Sequence, residues 1–161
     1  MVEIKPEPLT KAAFARFGDV VEIDGAGPIE INQGFARRFN GLATIDVTSG
    51  GAAVNISLFE AKPRPQPIEI KLMERHPLGS QLFMPLQDKP WLVLVCDDPR
   101  DPSSYRAFTA SGRQGVNYAR NAWHHPLLVL GEGERFLVVD RLGADNLEEV
   151  WLDQPLSLMP A

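Results

Sequence analysis

From residue 19 onward the chain is a succession of short segments rich in β-branched or alternating apolar residues: "DVVEI", "LATIDV", "AVNISLFEA", "IEIKLMERH", "SQLFMPL", "WLVLVC", "YRAFTA", "GVNYAR", "PLLVLG" and "RFLVVDR". Clusters of Gly, Pro, Asp and Asn separate them at fairly regular intervals. Segments this short cannot bury their apolar sides alone, so a long series of them predicts an all-β sandwich, jelly roll or barrel. Strands do not alternate with helices, which excludes a Rossmann-like sheet. One short helix is expected ahead of the series. In "LTKAAFARFG", Thr10 is a suitable N-cap, Ala13, Phe14 and Phe17 recur at helical spacing, and Gly18 is a stop.

The bulk properties narrow the partners. At 161 residues the chain is expected to form a single domain, 1–161, with no more than short tails. A formal charge of −5 with scattered Lys and Arg gives no basic patch, which argues against nucleic acid or an anionic membrane as the main partner. Any anionic ligand must then be held by local cations. Cys96, the one cysteine, sits inside "WLVLVC" and reads as a small core residue; it cannot form an intramolecular disulfide. No apolar run approaches a membrane span and "MVEIKPEPLT" lacks a signal-peptide core, so the expected location is the cytoplasm. The proline-rich "AKPRPQP" at 61–67 reads as an extended connector or edge. The C-terminal "DQPLSLMPA" reads as a loosely attached tail or as a strand lent to a partner.

The three histidines fall in two places, His76 in "MERHPLGSQLFMPL" and His124 with His125 in "NAWHHPL", both at strand ends beside turn residues. Glu74 and His76 are two apart and share one face of a strand. "PLGS" then turns the chain, and Gln81 opens the next strand, able to point back to that face. Adjacent His124 and His125 must point to opposite faces of a regular strand, so only one faces an interior. If Glu74 faces the interior, burial favours its neutral acid, as a proton donor requires. "EINQGFARRFN" brings Asn32 and Arg38 into one polar segment, either a carboxylate clamp or a solvated loop. "SGRQGVNY" reads as a hairpin turn. No G-x-S-x-G elbow, P-loop or C-x-x-C pair is present, which excludes nucleophile-elbow serine hydrolases, P-loop nucleotide enzymes and zinc ribbons.

The line Glu74-x-His76-x(4)-Gln81, with His124 farther on, resembles the metal-site signature of the cupin superfamily, with Glu in place of one His and Gln in place of the Glu. Glu74, His76, Gln81 and His124 are thereby metal-ligand candidates, a set suited to a borderline divalent ion but with less imidazole than a three-histidine site. The comparison assigns His124 to the interior and leaves His125 to packing, at the rim or against a partner subunit. More specifically, "ERHPLGSQLFMPL", "GRQGVNYARNAWHHPLL" and "FLVVDRLGADNLEE", together with "FGDVVE", "INQGFARRF" and "NISLFEAKP", resemble the ureidoglycolate lyase family over nearly the whole chain.

That resemblance implies a cupin-like jelly-roll β-barrel with a short N-terminal helix, a homodimer, and cleavage of (S)-ureidoglycolate to glyoxylate and urea in allantoin degradation. It also implies a divalent metal, with nickel named for some members, and no organic cofactor. Ureidoglycolate is a carbinolamine, so its cleavage needs a base for the hydroxyl proton and an acid for the departing nitrogen, and no covalent nucleophile. His124 or His76 is the expected base, directly or through a metal, with Glu74 or a neighbouring imidazole as the acid. Arg38 or another nearby arginine is expected to fix the carboxylate, with Asn32 and Gln81 as neutral hydrogen-bonding partners. Arg75 is expected at the substrate and Trp123 as a pocket wall. The rival readings are a ureidoglycolate amidohydrolase releasing ammonia and a non-catalytic small-molecule sensor.

Overall fold

The computed structural model describes residues 1–160. The strands are β1 (Glu3–Ile4), β2 (Pro6–Pro8), β3 (Gly18–Val21), β4 (Pro28–Ile31), β5 (Ala36–Phe39), β6 (Ala53–Ala61), β7 (Ile68–Arg75), β8 (Gln81–Pro85), β9 (Trp91–Cys96), β10 (Arg106–Ala110), β11 (Gly115–Tyr118), β12 (Trp123–His124), β13 (Leu128–Val129), β14 (Glu134–Leu142) and β15 (Glu148–Leu158). Helix α1 (Lys11–Phe14) lies between β2 and β3, and its Thr10 cap accepts a hydrogen bond from the Ala13 N–H at 3.1 Å.

An eight-stranded sheet runs β1-β15-β7-β12-β9-β10-β2, with β13 also on β9, and a five-stranded sheet runs β3-β11-β8-β14-β6. Pairing is antiparallel within both, except where β1 joins β15 and β2 joins β10 in parallel. The two sheets face each other as a cupin-like β-barrel. Phe83, Val116, Phe136 and Val138 of one sheet pack with Trp91, Val93, Val95 and Phe108 of the other, and Phe14 of α1 joins the same cluster. Strand β9 is buried on both faces: Leu92, Leu94 and Cys96 join Ile68, Ile70, Met73 and Leu158 in a second cluster on the reverse of the larger sheet. This is why "WLVLVC" is continuously apolar rather than alternating.

Two sequence expectations change. "LATIDV" forms no strand but crosses the outer face of β3 and β11: the Asn117 amide donates to Thr44 O at 2.8 Å, and the Asp46 N–H donates to Ser80 Oγ at 2.8 Å. The C-terminal segment is neither a loose tail nor a strand given away, because β15 pairs with β7 and β1 of its own chain. Ala161 lies outside the described residues.

Candidate active site

The site lies where β7, β8 and β12 meet inside the barrel. Register places His124 directly opposite both Glu74 and Val95, and Val95 belongs to the core between the sheets, so Glu74 and His124 face inward. The "PLGS" turn carries the chain from His76 to Gln81, and the Gln81 Oε1 lies 3.0 Å from His76 Nε2. Glu74 Oε1 is 3.4 Å from His124 Nε2 and 4.0 Å from His76 Nε2. The ligating atoms of Glu74, His76 and His124 all lie within 4.8 Å of one another.

Each ring is oriented from behind. His124 Nδ1–H donates to Ala122 O at 2.9 Å, which turns Nε2 toward Glu74. Tyr118 stacks flat on the His124 ring, with centroids 4.0 Å apart and planes 8° off parallel. The turn leading to β12 puts Asn121 at φ 65°, a left-handed conformation that Asn tolerates. His76 Nδ1–H donates to Asn146 O at 2.7 Å, so the "GADNLEE" turn supplies the support for the second imidazole. Acceptor oxygens thus face both nitrogens of the His76 ring. Asp140 extends the network, accepting from the Gln81 amide at 3.2 Å and the Asn55 amide at 2.9 Å.

Burial pushes the Glu74 carboxyl up, but the His124 imidazole facing it and the charge of His76 outweigh it and hold Glu74 below its ordinary value. Glu74 is therefore an anion rather than the neutral acid that burial alone implies. A cleft of about 560 Å³ opens onto Glu74, His76 and Gln81, with Asp140, Asn146 and Phe59 among its other walls. His124 is 1% exposed and stands behind Glu74 rather than in the wall of the cleft.

Other expected site residues are elsewhere. Arg75 and Trp123 point to the reverse face, as alternation requires: Arg75 pairs with Glu148 at 2.6 Å and lies over the Trp123 ring at 4.5 Å, while Trp123 packs on the second core cluster. Asn32 and Arg38 lie on an exposed β4–β5 hairpin and do not line the cleft. His125 is not at the rim but 3% exposed within its own chain. Asp140, Asn146 and Tyr118 were not among the candidate roles, although Tyr118 lies in "GVNYAR" and the other two in "FLVVDRLGADNLEE".

An antiparallel barrel with an inward cluster of two imidazoles and a carboxylate beside an open cleft defines a cupin-like protein with a metal-competent site. The chain belongs to the ureidoglycolate lyase family, whose family model matches residues 1–159. It is 53% identical over 150 residues to ureidoglycolate lyase 1 of Rhizobium meliloti (strain 1021), covering 92% of this chain and 88% of that one. It is 51% identical over 160 residues to the ureidoglycolate lyase of Burkholderia mallei (strain NCTC 10229), covering 98% and 94%. A similar relation, 52% over 145 residues, covering 89% and 86%, holds for the ureidoglycolate lyase of Brucella ovis (strain ATCC 25840 / 63/290 / NCTC 10512).

Proposed function

We propose that the protein is a ureidoglycolate lyase that splits (S)-ureidoglycolate into glyoxylate and urea by acid and base catalysis at Glu74 and His76. The observation that carries this reading is the pairing, on one wall of a cleft, of a carboxylate held ionised with an imidazole whose two nitrogens face acceptors. Glu74 accepts the proton of the substrate hydroxyl as the carbonyl of glyoxylate forms. His76 gives a proton to the urea nitrogen as the C–N bond breaks. His124, 3.4 Å behind Glu74, orients the carboxylate and stabilises its charge. Gln81, tied to Asp140, holds the His76 ring in place.

The same donors fit a divalent ion. His124 Nε2 is buried without a hydrogen-bond partner and faces Glu74 Oε1, and His76 Nε2 and Gln81 Oε1 complete a mixed nitrogen and oxygen set. An ion held by Glu74, His76, His124 and Gln81 would supply a Lewis acid that eases ionisation of the substrate hydroxyl. Nickel is the ion the family resemblance points to.

Glu74→Gln and His76→Ala should each lower kcat by about 10²–10⁴-fold, the usual worth of a positioned acid or base. Turnover of ureidoglycolate at the wild-type rate by folded Glu74→Gln removes the proposed base.

A further inference from the structure

The acid and base steps leave one carboxylate of the cleft without a direct partner in the substrate. Asp140 follows Phe136 and Val138 on the inward face of β14, with Asn55 opposite it on β6. It accepts from the Gln81 amide at 3.2 Å and from the Asn55 amide at 2.9 Å, one bond to each oxygen. An ionised carboxylate can accept about four hydrogen bonds, so roughly half of the capacity of Asp140 is left over. That remainder belongs to a residue in the wall of the cleft.

Asn146, at the other nitrogen of His76, has the complementary capacity. Its backbone oxygen accepts from His76 Nδ1 at 2.7 Å, and its side-chain Oδ1 accepts from the Leu78 N–H at 2.7 Å. Only the amide oxygen can accept from Leu78, which fixes which way the side chain is turned. The Nδ2 group donates to no protein group among the described residues, and Asn146 also lines the cleft.

The same end of the cleft is a poor place for an acid. The one guanidinium among its described lining residues is Arg141, and its N–H groups are directed at Ser49 O (3.1 and 3.2 Å) and Ala144 O (3.0 Å). A carboxylate acceptor, an unengaged carboxamide donor and a committed cation together suit a neutral group that both donates and accepts. A terminal carbamoyl, with its NH2 and its carbonyl oxygen, is such a group.

The order of residues along the wall also follows the order of groups in the substrate. Glu74, His76, Gln81 and Asp140 succeed one another with polar atoms 4.0, 3.0 and 3.2 Å apart. Ureidoglycolate presents a hydroxyl, then the C–N bond that breaks, then the carbamoyl. We propose that Asp140 and Asn146 bind the carbamoyl end of the substrate, Asp140 accepting from its terminal NH2 and Asn146 Nδ2 donating to its carbonyl oxygen. The substrate carboxylate is then directed away from Asp140, and a carbamoyl with an unsubstituted NH2 is selected. The identity of the substrate rests on the lyase reading.

Product inhibition tests this assignment, because urea and glyoxylate carry separate halves of the substrate. Each is titrated against ureidoglycolate turnover by the full-length wild type, Asp140→Asn and Asn146→Asp. Asp140→Asn removes an acceptor and a negative charge, so Ki for urea should rise about tenfold while inhibition by glyoxylate stays unchanged or tightens. Asn146→Asp keeps the oxygen that caps the Leu78 N–H and loses the donors, so Ki for urea should rise by a similar factor. Equal weakening of both inhibitors in Asp140→Asn marks a merely structural role and overturns the proposal, as does an unchanged urea Ki in either variant. The side-chain amide NMR signal of Asn146 in nitrogen-15-labelled protein, identified by its loss in Asn146→Asp, gives a readout without turnover. It should shift saturably with urea, and the absence of such a shift in the wild type overturns the proposal. A saturable shift in a protein that does not turn over ureidoglycolate counts against the lyase reading alone.

Discussion

His124 and His125 are adjacent in sequence, and both are buried, yet their surroundings differ. His124 meets Glu74, whereas His125 donates from Nδ1 to Pro126 O at 2.7 Å and has its pKa lowered to about 4, chiefly by burial. The folded chain therefore keeps His125 neutral while the unfolded chain protonates it below about 6.5. The stability this neutral ring permits is fully present above pH 6.5 and is lost as pH falls toward about 4, by roughly 3 kcal/mol in all. Urea midpoints at pH 7 and pH 4.5 should show that loss in the wild type and a smaller one in His125→Asn; equal losses would remove His125 as the cause. At this scale the sequence was most legible where side-chain alternation applies, and Glu74, His76, Gln81 and His124 do converge. The same alternation turns Arg75 and Trp123 away, so motif membership placed them where strand geometry does not. Glu74 illustrates another limit: burial could be read from the chain, but the two imidazoles that reverse its effect come from distant segments.

Among the elements, the long apolar segments were easily read, and "AVNISLFEA" and "WLVLVC" coincide with β6 and β9. Strand β15 was obscured because Pro155 and its polar neighbours interrupt the pattern; in the structure they fall at a register shift between Trp151 and Leu156, where a ladder tolerates proline. Strand β7 departs from simple alternation as well, since Ile68, Ile70 and Met73 all join the same cluster. That change of parity leaves Glu74 facing inward, and an ideal strand starting at Ile68 would not predict it. The β3–β11 pairing depends on a close backbone approach at Gly18. Its φ is 148°, and a Cβ there would lie 1.8 Å from Asn117 O. Gly18→Ala should destabilise the protein by about 3 kcal/mol or more through strain and overpacking. Thermal unfolding measures this directly, and an unchanged midpoint would contradict the close approach.

Considered whole, the molecule is a two-faced barrel whose mouth carries the polar chemistry and whose outer sheet face and hairpin carry apolar surface without an internal partner. The repeated strand pattern made the barrel legible, whereas the position of the β4–β5 hairpin was not, because it pairs with no strand of either sheet. None of the helices among the described residues is long and apolar enough to cross a membrane. The lyase and the amidohydrolase differ in which bond of ureidoglycolate breaks. Elimination at the carbinolamine carbon leaves the urea intact, whereas attack on the urea carbonyl releases ammonia. Purified protein incubated with (S)-ureidoglycolate, with urea, ammonia and glyoxylate quantified in the same sample, distinguishes these directly. Elimination should yield urea and glyoxylate in equal amounts without ammonia; ammonia in place of urea, or saturable binding with no product, would contradict it.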